Sequence, residues 1–551
     1  MQARRRQARP CRVAIAVVIL AATLVFVFLT GVVPNAFTIT ATPPPRPLLV
    51  APLRRLRESA LAVTSAATDA TVLLPDWEVL VLLHPNATAI AGSNATCAFR
   101  RGASSSPARA IGRLPSGRLA YTCVMPESER RHHPFHAPRI VATAAAHGSP
   151  PHEEEDEVMM EKWSGRLVYE SAVVNGGEVL VFAKGVNPRQ GVNRPASHLR
   201  CLYYRRRGIA ASLPAATSAQ QVFRCPPPPP TSADDVLRVT LAIAGEDEPI
   251  PSVATYNPPP PRGITSSPAT SKYKICACTM VRNVGKFLRE WVEYHAAVGV
   301  DRFILYDNGS DDDLPRHVRH LTADGYHVTT LPWPWPKTQE AGFSHGAAVH
   351  RDSCEWMAFI DVDEFIFSPH WADSPPSKSM LQSIVAVKPN IGQVSLRCMD
   401  FGPSGRTAHP GEGVTQGYTC RRRSPERHKS LLRLDAADPS LLNCVHHFEL
   451  RPEFAGEMVR RGARVNHYKY QAWPEFRVKF RRRVSTYVAD WTDRVNLQSK
   501  DRTPGLGFEP VEPAGWAAKF CQVNDTLLRD VTRRWFGSPP SAISSNLVDH
   551  D

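Results

Sequence analysis

The sequence predicts an α/β domain built on a mainly parallel sheet, preceded by a β-sandwich module and an N-terminal transmembrane helix. Three observations carry this. Residues 13–33 are apolar without a single charge. Residues 72–256 hold short apolar or alternating runs separated by Gly, Asn and Pro. After residue 272 strand-like and helix-like stretches alternate.

The first element, "VAIAVVILAATLVFVFLTGVV" (Val13–Val33), is long enough at about 1.5 Å per residue to cross a ~30 Å hydrocarbon layer. Arg4, Arg5, Arg6, Arg9 and Arg12 precede it, and Arg46 is the first charge after it. That asymmetry predicts a cytoplasmic tail (1–12), an uncleaved type II anchor and a lumenal body. A cleaved signal peptide is the alternative, but its apolar core is normally about 7–15 residues. Residues 34–71, rich in Pro, Ala and Thr, read as a stem.

In the second element, "VLVLL" (79–83), "RLVYESAVV" (166–174), "EVLVFAKGV" (178–186) and "LRVTLAIAG" (237–245) read as strands, and "NGG" (175–177) as a hairpin turn. An acidic run, "HEEEDE" (152–157), interrupts them as a loop. Eleven of the twelve cysteines lie beyond the anchor, where a lumenal body permits disulfides. Cys97 with Cys123 and Cys201 with Cys225 are candidate local pairs, while Cys276 and Cys278 read as buried thiols or disulfide partners rather than zinc ligands. Sequons at Asn86, Asn94 and Asn524 fit a secretory route. Asn308 carries a fourth, which we expect to stay unmodified beside a ligand pocket.

A Pro-rich linker, "NPPPPRGITSSPATS" (257–271), leads to the third element, 272–540. Here "KICACTMV", "RFILY", "HVTTL" and "WMAFIDVDEF" read as strands. Helices are expected over 283–299, over 314–325 with Gly325 closing the end, and over 339–353. In such sheets ligands bind beyond the carboxyl ends of the strands. Those ends carry Arg282-Asn283, Asp307-Asn308 and Asp361-x-Asp363. Of three Asp-x-Asp spacings in the chain, only Asp361 with Asp363 ends an apolar strand. Carboxylates there call for a cation or a basic partner, and two of them one residue apart can hold one hard divalent ion. Arg282 could meet a phosphate, and Asp307 a ribose or base. Alternation turns Glu364 away from Asp363, so Glu364 reads as structural, paired with an arginine.

The net charge of +14 and pI near 9.3 suit an anionic ligand, either nucleotide phosphates or acidic polysaccharide. No nucleic-acid module signature occurs, nor a GxxxxGK[ST] or GxGxxG loop. "DNGSDDD" fails as an EF-hand because Asp312 stands where Gly is needed.

The motifs "VRNVGKFLREWVEYHAAVGVDRFILYDNGSDDD" (281–313), "WMAFIDVDEFIF" (356–367), "DFGPSG" (400–405), "ERHKS" (426–430) and "VNHYKYQAW…FRVKFRRR" (465–483) occur in order over most of 272–500. Together they resemble the plant members of glycosyltransferase family 92, especially the β-1,4-galactan synthases. The resemblance implies a GT-A fold, a UDP-sugar donor, a divalent cation (Mn²⁺), inversion at the anomeric carbon and a Golgi setting. It also implies that the sandwich binds carbohydrate. Carried over, Asp361, Asp363 and His467 become the metal ligands, and Lys429 and Lys469 join Arg282, Asn283, Asp307 and Asn308 as donor contacts. Inversion needs a general base. Asp400, ending "QVSLRCMD", is the first choice, with Glu412 and Glu426 as alternatives. The expected activity is galactose transfer from UDP-galactose to β-1,4-galactan, a pectin side chain, by a single-pass Golgi membrane protein; a homodimer is left open. The rivals are another sugar or acceptor, and a tethered lectin with an inactive transferase domain.

Overall fold

Apolar runs flanked by Gly and polar turns become strands where a second layer covers them. The computed structural model describes residues 65–537, apart from 67, 86, 89–94, 143–158, 175–176, 188–191, 206–207, 230–236, 258–270, 445, 459–461 and 480–511. Val13–Val33, the stem up to residue 64, the acidic run 152–157, Asn86, Asn94, most of the Pro-rich linker and "RRR" at 481–483 therefore lie outside the described residues. Among the described residues no helix is long and apolar enough to cross a membrane.

The α/β region starts with β1 (Tyr273–Val281), α1 (Gly285–Val298), β2 (Arg302–Asp307), α2 (Leu314–Ala323), β3 (Val328–Pro332), α3 (Gln339–Val349) and β4 (Cys354–Phe359). The four strands lie parallel in the order β3-β2-β1-β4. Helices cover both faces, so Ile275, Cys276, Ala277 and Cys278 of β1 are all fully buried. Strand order reverses between β1 and β4, which places the ligand crevice at their carboxyl ends.

Beyond β4 come β5 (Glu364–Phe367), α4 (Ser379–Val385), β6 (Ile391–Asp400), β7 (His428–Arg433), β8 (Ala455–Met458) and β9 (Arg464–His467). The sheet continues β4-β7-β6-β9-β5, with β8 beside β6. It is mixed here: β7 runs antiparallel to β4 and β6, and β5 antiparallel to β9. "WMAFIDVDEF" is thus two strands rather than one. A turn closed by Glu364 N–H donating to the Asp361 carbonyl (3.0 Å) separates them. β5 is the last strand in the order, and α1 seals it. Trp291 Nε1 donates to Glu364 O (3.1 Å), Tyr294 OH donates to Ile366 O (2.7 Å), and His295 Nε2 accepts from Ile366 N (3.3 Å). Burial pushes His295 down to about 3, which keeps that nitrogen an acceptor.

Among its described residues the N-terminal region forms three β-sheets. Eight strands between Ser65 and Lys162 form the first, so regular structure begins inside the segment read as stem. Two four-stranded antiparallel sheets follow, and the Cys201–Cys225 disulfide joins them across one buried cluster that includes Val168, Val181, Tyr203, Phe223 and Leu241. Cys97–Cys123 forms within the first sheet. Cys276 bonds Cys354, stapling β1 to β4, whereas Cys278 stays a buried thiol; Cys420–Cys521 has no precursor in the sequence reading.

The two regions share a core. Leu80, Leu82, Tyr169 and Phe182 of the β region are packed in one cluster with Cys278, Tyr306, Trp333, Trp335 and Phe343. Trp163 stacks on Trp335 with centroids 5.8 Å apart, and Phe182 meets Trp333 edge-on at 5.5 Å.

Candidate active site

Sheet register builds the site. Glu364 of β5 lies directly opposite His467 of β9, and His467 lies directly opposite Asp400 of β6. The three therefore form one row across three strand ends, at cross-strand spacing that brings side chains into contact. His467 Nδ1 is 3.0 Å from Asp400 Oδ1, and its Nε2 is 3.6 Å from Glu364 Oε1. The turn before β5 adds Asp363, whose Oδ2 lies 3.4 Å from His467 Nε2. Asp363, Glu364 and His467 offer ligand atoms all within 4.8 Å of one another. Two carboxylates and an imidazole, with the second ring nitrogen fixed by a buried carboxylate, are a donor set that fits a divalent cation.

Lysines neutralise the acids from behind. Lys429 Nζ reaches Asp361 Oδ2 at 2.8 Å, Glu364 Oε1 at 2.7 Å and His446 Nε2 at 2.6 Å. Lys469 Nζ donates to Asp400 Oδ2 at 2.9 Å, and Lys479 pairs with Asp363 Oδ2. Four carboxylates (Asp361, Asp363, Glu364, Asp400) thus meet three lysines and His467. Burial alone would lower the His467 pKa, but Asp363 and Glu364 outweigh it and raise it to about 9. Burial raises Glu364 more than Lys429 lowers it. Asp361 and Asp400 go the other way, held down at about 2, against burial, chiefly by Lys429 and by His467 respectively.

The second half of the edge lies at the ends of β1 and β2. Asn283, with φ +52°, accepts from Asp311 N (2.8 Å), and its own N–H donates to Ser310 Oγ (3.0 Å). Asp307 Oδ1 accepts from Ser310 N (2.8 Å). Asn308 Nδ2 donates to the carbonyls of Trp333 (2.7 Å) and Trp335 (3.1 Å). Arg282 is exposed beside them. Asp312 Oδ2 accepts from Gly285 N at the start of α1, and a Cβ on Gly285 would meet the His317 ring at 2.6 Å, so this close approach needs glycine.

With this geometry in place, sequence comparison can be set against it. The glycosyltransferase family 92 profile matches residues 271–501. A family 92 protein of Oryza sativa subsp. japonica is 41% identical over 397 residues, covering 68% of this chain and 67% of the relative. The chain belongs to glycosyltransferase family 92. A Ricinus communis member is 42% identical over 66% of each chain, and an Arabidopsis thaliana member 42% identical over 65% of each; the chain spans about two thirds of the length of these relatives. Likeness to solved structures is partial. S. aureus TarS aligns with 42% of this chain and 67% of its own at 13% identity and a TM-score of 0.22. A Pyrobaculum calidifontis mannosyltransferase in complex with GDP-Man and Mn²⁺ aligns with 23% of this chain and 36% of its own at 15% identity and a TM-score of 0.19. Scores this low carry no argument.

For this family 92 chain, the structure redistributes the residues read from sequence. Asp363 and His467 meet as expected, but Glu364, expected to face away with an arginine, is the third member and pairs with Lys429. The alternation rule fails because Asp363 sits in a turn, not a strand. Asp361 is held by Lys429, with Gln339 Nε2 at 3.4 Å from its other oxygen. Asp400, expected as the base, is buried with one oxygen bonded to His467 and the other to Lys469, so it fixes the ring instead. Glu412 and Glu426 are paired with Arg406 and Arg422. Lys429 and Lys469, expected on the donor, are counter-ions inside the acid cluster, and Asn283 and Asn308 tie loops together. Asn524 is exposed on a short strand beside Cys420. Lys479 and His446 went unread. Lys479 lies inside "FRVKFRRR" without a role of its own and His446 lies outside the family motifs, and only the fold brings either to the acids.

Proposed function

We propose that this family 92 chain is a GT-A transferase that uses a divalent cation, Mn²⁺ by donor set, to move galactose from UDP-galactose to β-1,4-galactan. We place it in the Golgi membrane, anchored by Val13–Val33. One observation carries the reading: the in-register row Glu364–His467–Asp400, completed by Asp363, stands beside the β1–β4 crevice. A cation held there would supply Lewis-acid chemistry to a donor diphosphate. Asp363, Glu364 and His467 would hold it, and mixed oxygen and nitrogen donors suit Mn²⁺ better than Mg²⁺. Asp400 keeps His467 Nδ1 engaged, which leaves Nε2 facing Asp363 and Glu364 and available as a ligand. Arg282 meets a phosphate with its planar fork, and Asp307 accepts from the ribose or base. We read the two four-stranded sheets of residues 167–256 as the sandwich, with carbohydrate as its ligand. No base is assigned.

The test is UDP release and galactan extension by the full chain with Mn²⁺, with EDTA, and across a panel of nucleotide sugars. Expected are Mn²⁺-dependent turnover and preference for UDP-galactose. Asp363→Asn and Glu364→Gln should lose about 100-fold or more of it while folding normally. Near wild-type transfer by both folded variants would sink the metal site. Turnover with another sugar alone would keep the chemistry and replace the donor.

A further inference from the structure

We propose that Lys479 is an exchangeable counter-ion: it occupies Asp363 when the cation is absent and moves to the donor diphosphate when cation and donor bind. The inference rests on the cation-and-donor reading above and adds a residue that reading lacks.

Three features single out Lys479. It pairs with Asp363 Oδ2, the same oxygen that faces His467 Nε2, so lysine and cation compete for one ligand atom. A cation there would repel the ammonium across a contact distance. Among the three lysines, Lys479 alone has a way out. Its side chain is 39% exposed, against 9% for Lys429, held by Asp361 and Glu364, and 19% for Lys469, held by the buried Asp400. Finally, its support is separate from the main cores. Residues 473–479 are helical and rest on a satellite cluster of Tyr470, Trp473, Phe476 and Trp516, so the helix can shift without disturbing the sheet. Glu475, paired with Lys286 Nζ at 2.5 Å, ties this helix to the first turn of α1, just after Arg282. A lysine released from Asp363 therefore stays at the crevice, where a diphosphate is the nearest new anion.

The experiment compares the full chain with Lys479→Met, which keeps the alkyl stem, and with Lys274→Met, a charge control at the far end of β1 where Lys274 pairs with Glu355. Mn²⁺ affinity without nucleotide is read by electron paramagnetic resonance titration. UDP affinity in saturating Mn²⁺ is read by calorimetry. Lys479→Met is expected to bind Mn²⁺ about threefold tighter, because a competing pair is gone, and UDP about tenfold weaker, because a charge-assisted contact is gone. Lys274→Met should change neither. An unchanged Mn²⁺ affinity, or an unchanged UDP affinity, overturns the exchange. Failure of the wild-type chain to bind Mn²⁺ and UDP would take down the parent reading as well, whereas normal wild-type binding with an unaltered Lys479→Met removes only the role given to Lys479.

Discussion

The strands of the β region that meet the α/β region and its edge strand Gly208–Pro214 differ in how they use their two faces. In the four-stranded sheets, Val168, Val179, Val181 and Ala183 face the internal cluster joined by Cys201–Cys225. Their neighbours Leu167, Tyr169, Leu180 and Phe182 face the other way, into the cluster that holds Trp333 and Trp335. "VLVLL" divides likewise: Val79, Val81 and Leu83 pack within the first sheet, Leu80 and Leu82 against the α/β region. A strand buried on both faces reads as a continuous apolar run, not an alternating one. By contrast Gly208–Pro214, with one face open, has no fully buried residue. The lesson is that a Pro-rich linker in the sequence does not imply two separated bodies; the apolar run lengths report the contact.

The largest test of this comparison is removal of the β region. A chain cut to residues 272–551 would expose Trp333, Trp335 and Tyr306, each now fully buried. Burial of one such side chain is worth about 1.5–3 kcal/mol, and whole domains are stable by only about 5–15 kcal/mol. We expect an aggregating or non-cooperative product by circular dichroism melting. A sharp transition near that of the full chain would mean the shared core is dispensable.

A second test separates shared from private core. Trp335→Ala and Phe223→Ala should each cost about 3–5 kcal/mol, measured by urea unfolding. Only Trp335→Ala should also weaken UDP binding, because losing the buried ring frees the residue 335 backbone to shift, and its carbonyl accepts from Asn308 beside Asp307. Equal UDP affinities in the two folded variants would show that the shared core does not reach the site.

The next effect depends on pH. Glu170, on the doubly covered strand, is fully buried beside Arg118, and burial raises it to about 7 although Arg118 opposes the shift. The unfolded chain releases this proton near 4.5, the folded chain near 7, so the folded state binds more protons in that window. Stability therefore falls as pH rises from about 4.5 to 7, by roughly 3 kcal/mol in all, and stays lowered above it. Glu170→Gln should flatten that slope, giving a higher Tm than wild type at pH 8 and little change at pH 4.5. A parallel pH profile in both proteins would refute the buried-acid account.

The same logic explains what was legible in the sequence. Local periodicity gave α1 and β1–β4, which depend on neighbours a few residues away, while Cys97 with Cys123 and Cys201 with Cys225 were candidates by their short separations of 26 and 24 residues. Position at strand ends singled out Asp363, Asp307 and Arg282 as candidates, whereas His467 came only from the family resemblance. Roles were not legible where they depend on register between distant strands. Asp400 orients His467 only because β6 and β9 pair at that residue, and Glu364 joins only because Asp361–Asp363 leave the sheet in a turn.

The smallest expected effect tests the finest link between the regions. Arg109, exposed on the strand Ser104–Arg113 of the first sheet, donates from Nη1 to the Ser310 carbonyl at 2.7 Å. Ser310 in turn accepts from Asn283 N and donates to Asp307 Oδ1, so one arginine of the β region steadies the loop that presents Asp307. A partly exposed hydrogen bond of this kind contributes about 0.5–1.5 kcal/mol, and losing it should loosen the loop more than the fold. Arg109→Met is therefore expected to weaken UDP binding about threefold with Tm shifted by no more than a degree or two. Arg113→Met, on the same strand but with its Nη1 donating to Gly117 O, serves as the control. If Arg109→Met and Arg113→Met bind UDP alike, the two regions share a core without sharing a site, and the comparison ends at stability.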